Sequence, residues 1–497
     1  MTGILAKAQN SMTEPPEMAA TGIEGLDNVL TGGLQRGRLY VAEGEPGTGK
    51  TTLALQFLME GARLGEGCLY ITLAETEAEL RAGAASHGWA LEGIDVFELL
   101  PPESLLDDSQ RQSLLYSADL ELGETTRLAF DAVTRLAPRR VVFDSLSEFR
   151  LLAQSSLRYR RQILSLKHFF DRAGATVLLL DDIWADAGER TVHSIAHGVI
   201  QLQQAAPAYG SERRRVRIVK CRGQSFRGGF HDMVIAHGGL RVFPRLVAAE
   251  HNRNAGRGQL VTGIGALDAL LGGGVERGSS TLAVGPSGVG KSLLVIHFLA
   301  QAVARGERVA MFVFDEDVEL LTSRVALLGI DLGRMRDDGM LHLVQVEAAE
   351  LSPGEFAAAV RTQVEAHGAS TVIIDSLNGY QQALTDDQFL LPHMHELLMY
   401  LRRSGVSSFI TVAQHGMIGQ MQAPFPVTYI ADTVLLLRFF ETQGEVLRAL
   451  SVIKKRTGAH ENTIRQLSIG AAGLELGAPL TRFHGVLRGV PEMVAQE

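Results

Sequence analysis

One eight-residue pattern occurs twice in this chain. Gly-Glu-Pro-Gly-Thr-Gly-Lys-Thr runs from Gly44 to Thr51, and Gly-Pro-Ser-Gly-Val-Gly-Lys-Ser runs from Gly285 to Ser292. Both fit G-x-x-x-x-G-K-[ST], and each stands between an apolar run and a helical pattern, the setting a phosphate-binding loop requires. The two lysines are 291 − 50 = 241 residues apart. The lead-in segments, TGIEGLDNVLTGGLQRGRLYVAEG at 21–44 and TGIGALDALLGGGVERGSSTLAVG at 262–285, keep the same offset. A period of that length is far too long for a solenoid and suits two whole domains.

The 497 residues are enough for each half to bury its own core. The polar, Gly/Arg/Asn-rich stretch at 244–260 places the junction, with domains expected at 15–248 and 249–497. Residues 1–14 read as a disordered leader, because they lack the apolar centre of a signal peptide. No apolar run approaches the roughly 18–20 residues that span a bilayer. Two cysteines, Cys68 and Cys221, leave no disulfide framework or zinc pattern, and the expected compartment is the cytoplasm. Cys221 reads as an ordinary strand residue.

Short β-branched runs alternate with helical stretches in each half. In the first, Leu39–Glu43, Leu69–Leu73, Val141–Asp144, Thr176–Leu180 and Val216–Lys220 read as strands. In the second, Thr281–Val284, Val309–Phe314, Thr371–Asp375, Phe409–Ala413, Thr433–Leu437 and Ala449–Lys454 do. Near-continuous apolar runs belong to strands buried on both faces, so each half is expected to be α/β, a mostly parallel sheet flanked by helices. The helices that follow the loops each run into a glycine, a C-terminal stop.

The loop glycines let backbone N–H groups converge on phosphate oxygens, and the helix that follows adds a partial positive charge. The expected nucleotide contacts are Gly44, Gly47, Thr48, Gly49, Lys50, Thr51 and Thr52 in the first half. In the second they are Gly285, Ser287, Gly288, Val289, Gly290, Lys291, Ser292 and Leu293. Lys50 and Lys291 would reach the β- and γ-phosphates of ATP, and Thr51 and Ser292 would offer hydroxyls to Mg²⁺. Asp144 and Asp375 each close a buried strand and begin an Asp-Ser-Leu repeat, which points to metal binding through water. Glu75 and Glu316, again 241 apart, and Asp315 end the next strand and are candidates to orient an attacking water. Late in each half stand Lys220-Cys221-Arg222 and Lys454-Lys455-Arg456. A lysine and an arginine two apart on a strand share a face and can clamp a γ-phosphate.

Taken together, these motifs resemble the KaiC family of tandem RecA-like P-loop ATPases, over essentially residues 15–490. The resemblance rests on the duplicated lead-in, both loops, the acids after the second strand, both Asp-Ser-Leu segments and both K-x-R segments. HGGLRVFPRL, at 237–246, also looks like that family's exit from its first domain. The resemblance implies a double-ring homohexamer with ATP at subunit interfaces, and Lys220, Arg222, Lys454 and Arg456 acting on the neighbouring subunit's nucleotide. Clock members of the family also phosphorylate adjacent Ser and Thr residues in the second domain, under control of partner proteins.

The chain departs from that pattern in three places. The family's paired glutamates stand here as Ala74-Glu75 and Asp315-Glu316, so first-domain hydrolysis would rest on Glu75. The acceptor pair is Thr428-Tyr429, which leaves Thr428 as the aliphatic phosphorylation candidate and argues against a two-site Ser/Thr cycle. The chain also stops soon after GVLRGVPEM, so the tail that recruits an activator is expected to be short or lost. The leading reading is a non-clock signalling ATPase with serine/threonine autophosphorylation and a signalling protein partner. The alternative is a nucleotide-gated hexameric scaffold without kinase activity, which Ala74 favours. A RecA-like DNA motor is disfavoured by the net charge of −9 and by the lack of a basic strand interleaved with aromatics; neither nucleic acid nor a membrane is expected as a partner.

Overall fold

The computed structural model describes residues 17–99, 114–153, 155–182, 191–207, 210–251, 256, 258–382, 390–414, 427–470, 473–486 and 492–493. The expected leader lies outside these residues, as does part of the junction and part of the C-terminal stretch. The chain divides into two compact units. One comprises the residues up to Ala206 with Glu212–Arg245; the other comprises Pro207–Ser211 with Leu246 onward.

The first unit is built on a nine-stranded sheet. Its strands in chain order are β1 (Leu39–Gly44), β2 (Cys68–Thr72), β3 (Ile94–Glu98), β4 (Arg140–Asp144), β5 (Thr176–Asp182), β6 (Gly198–Ala205), β7 (Arg213–Cys221), β8 (His231–Ala236) and β9 (Gly239–Phe243). Their spatial order is β9-β8-β7-β6-β1-β5-β4-β2-β3. The six from β6 to β3 run parallel, and β7, β8 and β9 extend the sheet by antiparallel pairing. The second unit repeats this with β10 (Ser280–Gly285), β11 (Val309–Val313), β12 (Leu341–Gln345), β13 (Thr371–Asp375), β14 (Ser407–Ala413), β15 (Thr433–Thr442), β16 (Glu445–Lys455), β17 (Arg465–Gly470) and β18 (Gly473–Pro479). Its order is β12-β11-β13-β14-β10-β15-β16-β17-β18. Two tandem RecA-like α/β domains are therefore present.

The parallel strands are apolar at consecutive positions because both faces are covered. Along β1, Leu39 and Val41 belong to one core layer, while Tyr40 and Ala42 belong to the other. In the second unit, Met311 and Ile373 lie on one side, and Phe312 and Ile374 on the other. Each of the Leu, Val, Ile, Phe and Met side chains contributes about 1.5–3 kcal/mol when fully buried. The helices after the loops are α1 (Lys50–Arg63) and α2 (Lys291–Ala304). Both stop as expected. Gly65 and Gly306 take φ of 75° and 78°, and the next N–H reaches back to Gly61 and Ala302, closing a Schellman turn.

Seven sheet strands were not expected from the sequence: β3, β6, β8 and β9 in the first unit, and β12, β17 and β18 in the second. Most of these alternate or are half-exposed, as along β18, so they lack the unbroken apolar run of a two-sided strand. The expected strand Val216–Lys220 also grows to Arg213–Cys221, because three arginines at its start pair in an antiparallel ladder.

A buried charge ties the first unit together beneath its loop helix. Arg140, with no exposed surface, donates from Nε to Glu66 at 2.6 Å and from Nη1 to the carbonyls of Ala20 and Phe57. Arg36 also pairs with Glu66. Burial alone would push the Glu66 carboxyl up; the hydrogen bonds and charges of Arg36 and Arg140 outweigh it and hold the group down at about 2. In the second unit, Glu307 occupies the same place and is held by Arg277 and Arg305.

Candidate nucleotide-binding sites

Each loop leaves the central strand of its sheet and enters a helix whose first turn has no side-chain cap. The N-cap residues are Gly49 and Gly290, with φ of 99° and 108°. A Cβ on Gly49 would sit 2.5 Å from Ile235 Cδ1, and one on Gly290 would sit 2.7 Å from Ile469 Cδ1. Backbone conformation and space both demand glycine here, and the first N–H groups of the helix are left open to an anion. Thr48 folds inward, its hydroxyl donating to the carbonyl of Glu45 at 2.8 Å. Lys50 Nζ donates to the carbonyls of Gly44 and Glu45 at 2.8 and 3.0 Å, and lies 2.7 Å from Asp182 Oδ1. Lys291 Nζ donates to the carbonyl of Pro286 at 2.8 Å, and burial pushes its ammonium below the ordinary lysine range.

Asp144 and Asp375 end β4 and β13, two strands from the loop strand. The peptide bonds Asp144–Ser145 and Asp375–Ser376 are both cis. Burial pushes the Asp144 carboxyl up to about 6, against the hydrogen bond it accepts from Tyr70 at 2.5 Å. The same phenol also bonds the Thr51 side chain, so Thr51 and Asp144 share one partner. In the second unit the donor to Asp375 is the Thr411 hydroxyl, from the adjacent strand. A threonine or serine hydroxyl at the head of the helix and a carboxylate at a strand end form a donor set of oxygens that suits Mg²⁺, which takes few protein ligands and keeps phosphate oxygens and water.

Glu75 is exposed and precedes Thr76, the N-cap of the helix Glu77–Ser86, while its backbone N–H is held by Thr72. It therefore lies outside the helix, whose first-turn acids are Glu77 and Glu79. Glu316 likewise precedes an N-cap, Asp317, but pairs with Arg324 at 2.9 Å. Burial raises its carboxyl above the ordinary range despite that arginine. Asp315 accepts a hydrogen bond from the Ser376 hydroxyl, next to Asp375.

The two K-x-R segments share a detail that sequence spacing missed. A β-bulge interrupts the ladder at Val199/Ile200 in one unit and at Val434/Leu435 in the other. It turns out an apolar residue, Val219 or Ile453, just before the lysine. Beyond the bulge, Lys454 Nζ donates to the carbonyls of Thr428 and Ala431, and Arg456 to that of Tyr429. Lys220 donates to the carbonyl of His193, and Arg222 to that of Ser194 at 2.8 Å. Arg222 and Arg456 are exposed. Thr428 is exposed too, in a single 3₁₀ turn, Val427–Tyr429.

Sequence reading also missed the acids around the first loop. Glu43, buried on β1, meets His193 Nε2 at 2.5 Å, and Asp181 on β5 pairs with Arg150 at 2.9 Å. Burial pushes Asp181 up to about 6. Glu43-Gly44 could have been seen as unusual only against Val284-Gly285 in the other copy.

The family model for the KaiC ATPase matches residues 19–247 and again 260–480. The chain is 28% identical over 484 residues to the circadian clock oscillator protein KaiC of Parasynechococcus marenigrum (strain WH8102), covering 96% of this chain and 93% of that protein. It is 27% identical to the circadian clock protein KaiC3 of Synechocystis sp., covering 97% and 96% of the two chains. It is also 27% identical to KaiC 1 of the same organism, covering 96% and 92%. With both copies matched and both loops built on the same sheet position, the chain belongs to the KaiC ATPase family.

Proposed function

We propose that this protein binds ATP at both loops and hydrolyses it, as a cytoplasmic homohexameric signalling ATPase. The observation that carries the reading is the repeated geometry of an uncapped helix N-terminus, a loop lysine folded back onto the loop carbonyls and a strand-end aspartate. The helix N–H groups and Lys50 or Lys291 would hold the phosphates. Thr51 with Asp144, and Ser292 with Asp375, would hold Mg²⁺ between them and the phosphate oxygens. When bound, the ion neutralises charge that develops on the transferred phosphoryl group.

Glu75 in the first domain, and Asp315 with Glu316 in the second, would orient water or accept a proton. Lys220, Arg222, Lys454 and Arg456 would reach the nucleotide of a neighbouring subunit. In that role they exchange backbone carbonyls for phosphate oxygens, the better acceptors. Thr428, exposed between the two finger residues that grip its segment, is the candidate phosphate acceptor. A protein partner that reads the state of the ring would complete the signalling role.

A nucleotide-gated scaffold is the second reading, favoured by Ala74, where the second unit keeps a carboxylate at Asp315. Incubation with γ-labelled ATP and Mg²⁺, partitioned between free phosphate and protein, separates the two. Phosphate release together with label lost in Thr428→Ala supports the autokinase; phosphate alone supports a ring whose output is its conformation. Neither product would refute the enzymatic reading.

A further inference from the structure

The two sites differ most where the sheet meets the loop. In the first unit, Glu43 stands opposite Asp181 and Gly44 opposite Asp182, in parallel register. In the second, the matching strands pair Val284 with Val412 and Gly285 with Ala413. The carboxylate of Asp182 thus has a bare methyl as its counterpart. In both copies the backbone N–H at this position is held by the third residue after the strand-end aspartate, but the second bond differs. Ser147 takes the N–H of Asp182 on its hydroxyl at 3.2 Å and donates to Oδ2 at 3.0 Å. Asn378, at the same place, bonds both backbone groups of Ala413, at 2.7 and 3.1 Å. The serine leaves Oδ1 pointing at Lys50, 2.7 Å away. Among the described residues, no carboxylate comes within ion-pair distance of Lys291.

We infer that Asp182 is a positioning residue that competes with nucleotide phosphate for Lys50, so that the first site binds nucleotide more weakly than the second. This rests on the proposal that the loops bind nucleotide. A phosphate entering the first loop must take Lys50 from a partner already at hydrogen-bond distance. It then leaves Asp182, whose side chain is 28% exposed, beside the new negative charge with its lysine gone. Both effects weaken binding. In the second loop the phosphate meets a buried ammonium that, among the described residues, no carboxylate contacts directly; Asp375 and Asp315 act on it only from beyond ion-pair distance. The difference lies in binding rather than in the chemical step, so it changes Kd and KM in the same direction and leaves kcat at that site within about two-fold.

The test is equilibrium binding of a fluorescent, non-hydrolysable ATP analogue with Mg²⁺ to the full-length chain. Lys291→Ala isolates the first site and Lys50→Ala the second. Asp182→Asn and Asp182→Ala, each in the Lys291→Ala background, should tighten first-site binding about ten-fold, and Asp182→Glu should keep it near the parent value. Ala413→Asp in the Lys50→Ala background should weaken the second site by a similar factor. A residue needed only for folding would show the opposite sign, with weaker binding in both Asp182 variants. The inference is overturned if Asp182→Asn binds no tighter than its parent while the parent binds at the loop. If Lys50→Ala/Lys291→Ala binds as tightly as wild type, the loops are not the nucleotide sites, and the proposed function falls along with the inference.

Discussion

Lys454 Nζ lies 2.8 Å from the carbonyl oxygen of Thr428, and Lys220 makes the corresponding bond to His193 in the other unit. The lysine that carries phosphate-clamping chemistry in one proposal thus grips the backbone of the candidate acceptor in the other. The copies diverge one step further on. Arg456 lies 3.4 Å from Asp432, which also pairs with Arg402. At the matching place in the first unit stands His197, whose carbonyl accepts from the Arg222 N–H just as that of Asp432 accepts from Arg456. Burial, with the charges of Lys167, Arg38 and Arg222, pushes His197 down to about 4; where Asp432 gives Arg456 an anion, Arg222 has an imidazole beside it.

Arg456→Ala, in a Lys50→Ala background that silences the first site, should lower phosphate release about 1,000-fold or more, the range seen for arginine fingers. Folding should survive, because Arg456 is exposed. Steady-state turnover and circular dichroism on the same sample check both statements. Unchanged turnover would remove Arg456 from the chemistry.

Glu75→Gln in a Lys291→Ala background should cut first-site turnover about 100-fold with nucleotide affinity kept, the signature of a group that works on the attacking water. Glu75 carries no helix-capping duty, which falls to Thr76 and Glu79, so the loss would not reflect an unravelled helix. Matched Kd values with lowered kcat support the assignment; a change in Kd alone contradicts it.

Much of this was legible in the sequence, for identifiable reasons. The loops, their lysines and the strand-end aspartates are local patterns, and the 241-residue offset compares them against each other. The parallel core strands announce themselves because both faces are buried, as at Val141-Val142-Phe143. The antiparallel extension was poorly visible because strands such as β18 are half-exposed and interrupted by glycine. Contacts between residues far apart in the chain were invisible altogether. Lys50 and Asp182 are 182 − 50 = 132 residues apart, and only the register of β1 against β5 brings them together. The bulges that aim Lys220 and Lys454 leave no local sign, because Val219 and Ile453 look like ordinary strand residues.

Asp144→Asn should raise the Mg²⁺ concentration for half-maximal first-site turnover about ten-fold, since a neutral amide attracts the hydrated ion far less than a carboxylate. Titrating Mg²⁺ at saturating ATP, with the second loop disabled, measures it. An unchanged midpoint would leave Asp144 as a partner of Tyr70 and nothing more.

Glu66 gives the stability of the first unit a signed dependence on pH. Its folded value, held at about 2, lies below the ordinary 4.5, so its stabilisation is fully present above about 4.5 and is lost as pH falls toward 2. Glu66→Gln should cost about 3 kcal/mol at pH 7, because it strands the fully buried Arg140. The gap between variant and wild type should shrink steadily below pH 4.5. Both tryptophans, Trp89 and Trp184, belong to the first half, so urea unfolding followed by tryptophan fluorescence reports this unit. A gap that widens on acidification would contradict the assignment.

The most direct measurement is phosphate release from ATP with Mg²⁺ by wild type, Lys50→Ala, Lys291→Ala and the double variant. Two independent catalytic loops predict a partial loss in each single variant and no release above background in the double. Turnover that survives in the double variant would contradict the claim that these loops are where this protein hydrolyses ATP.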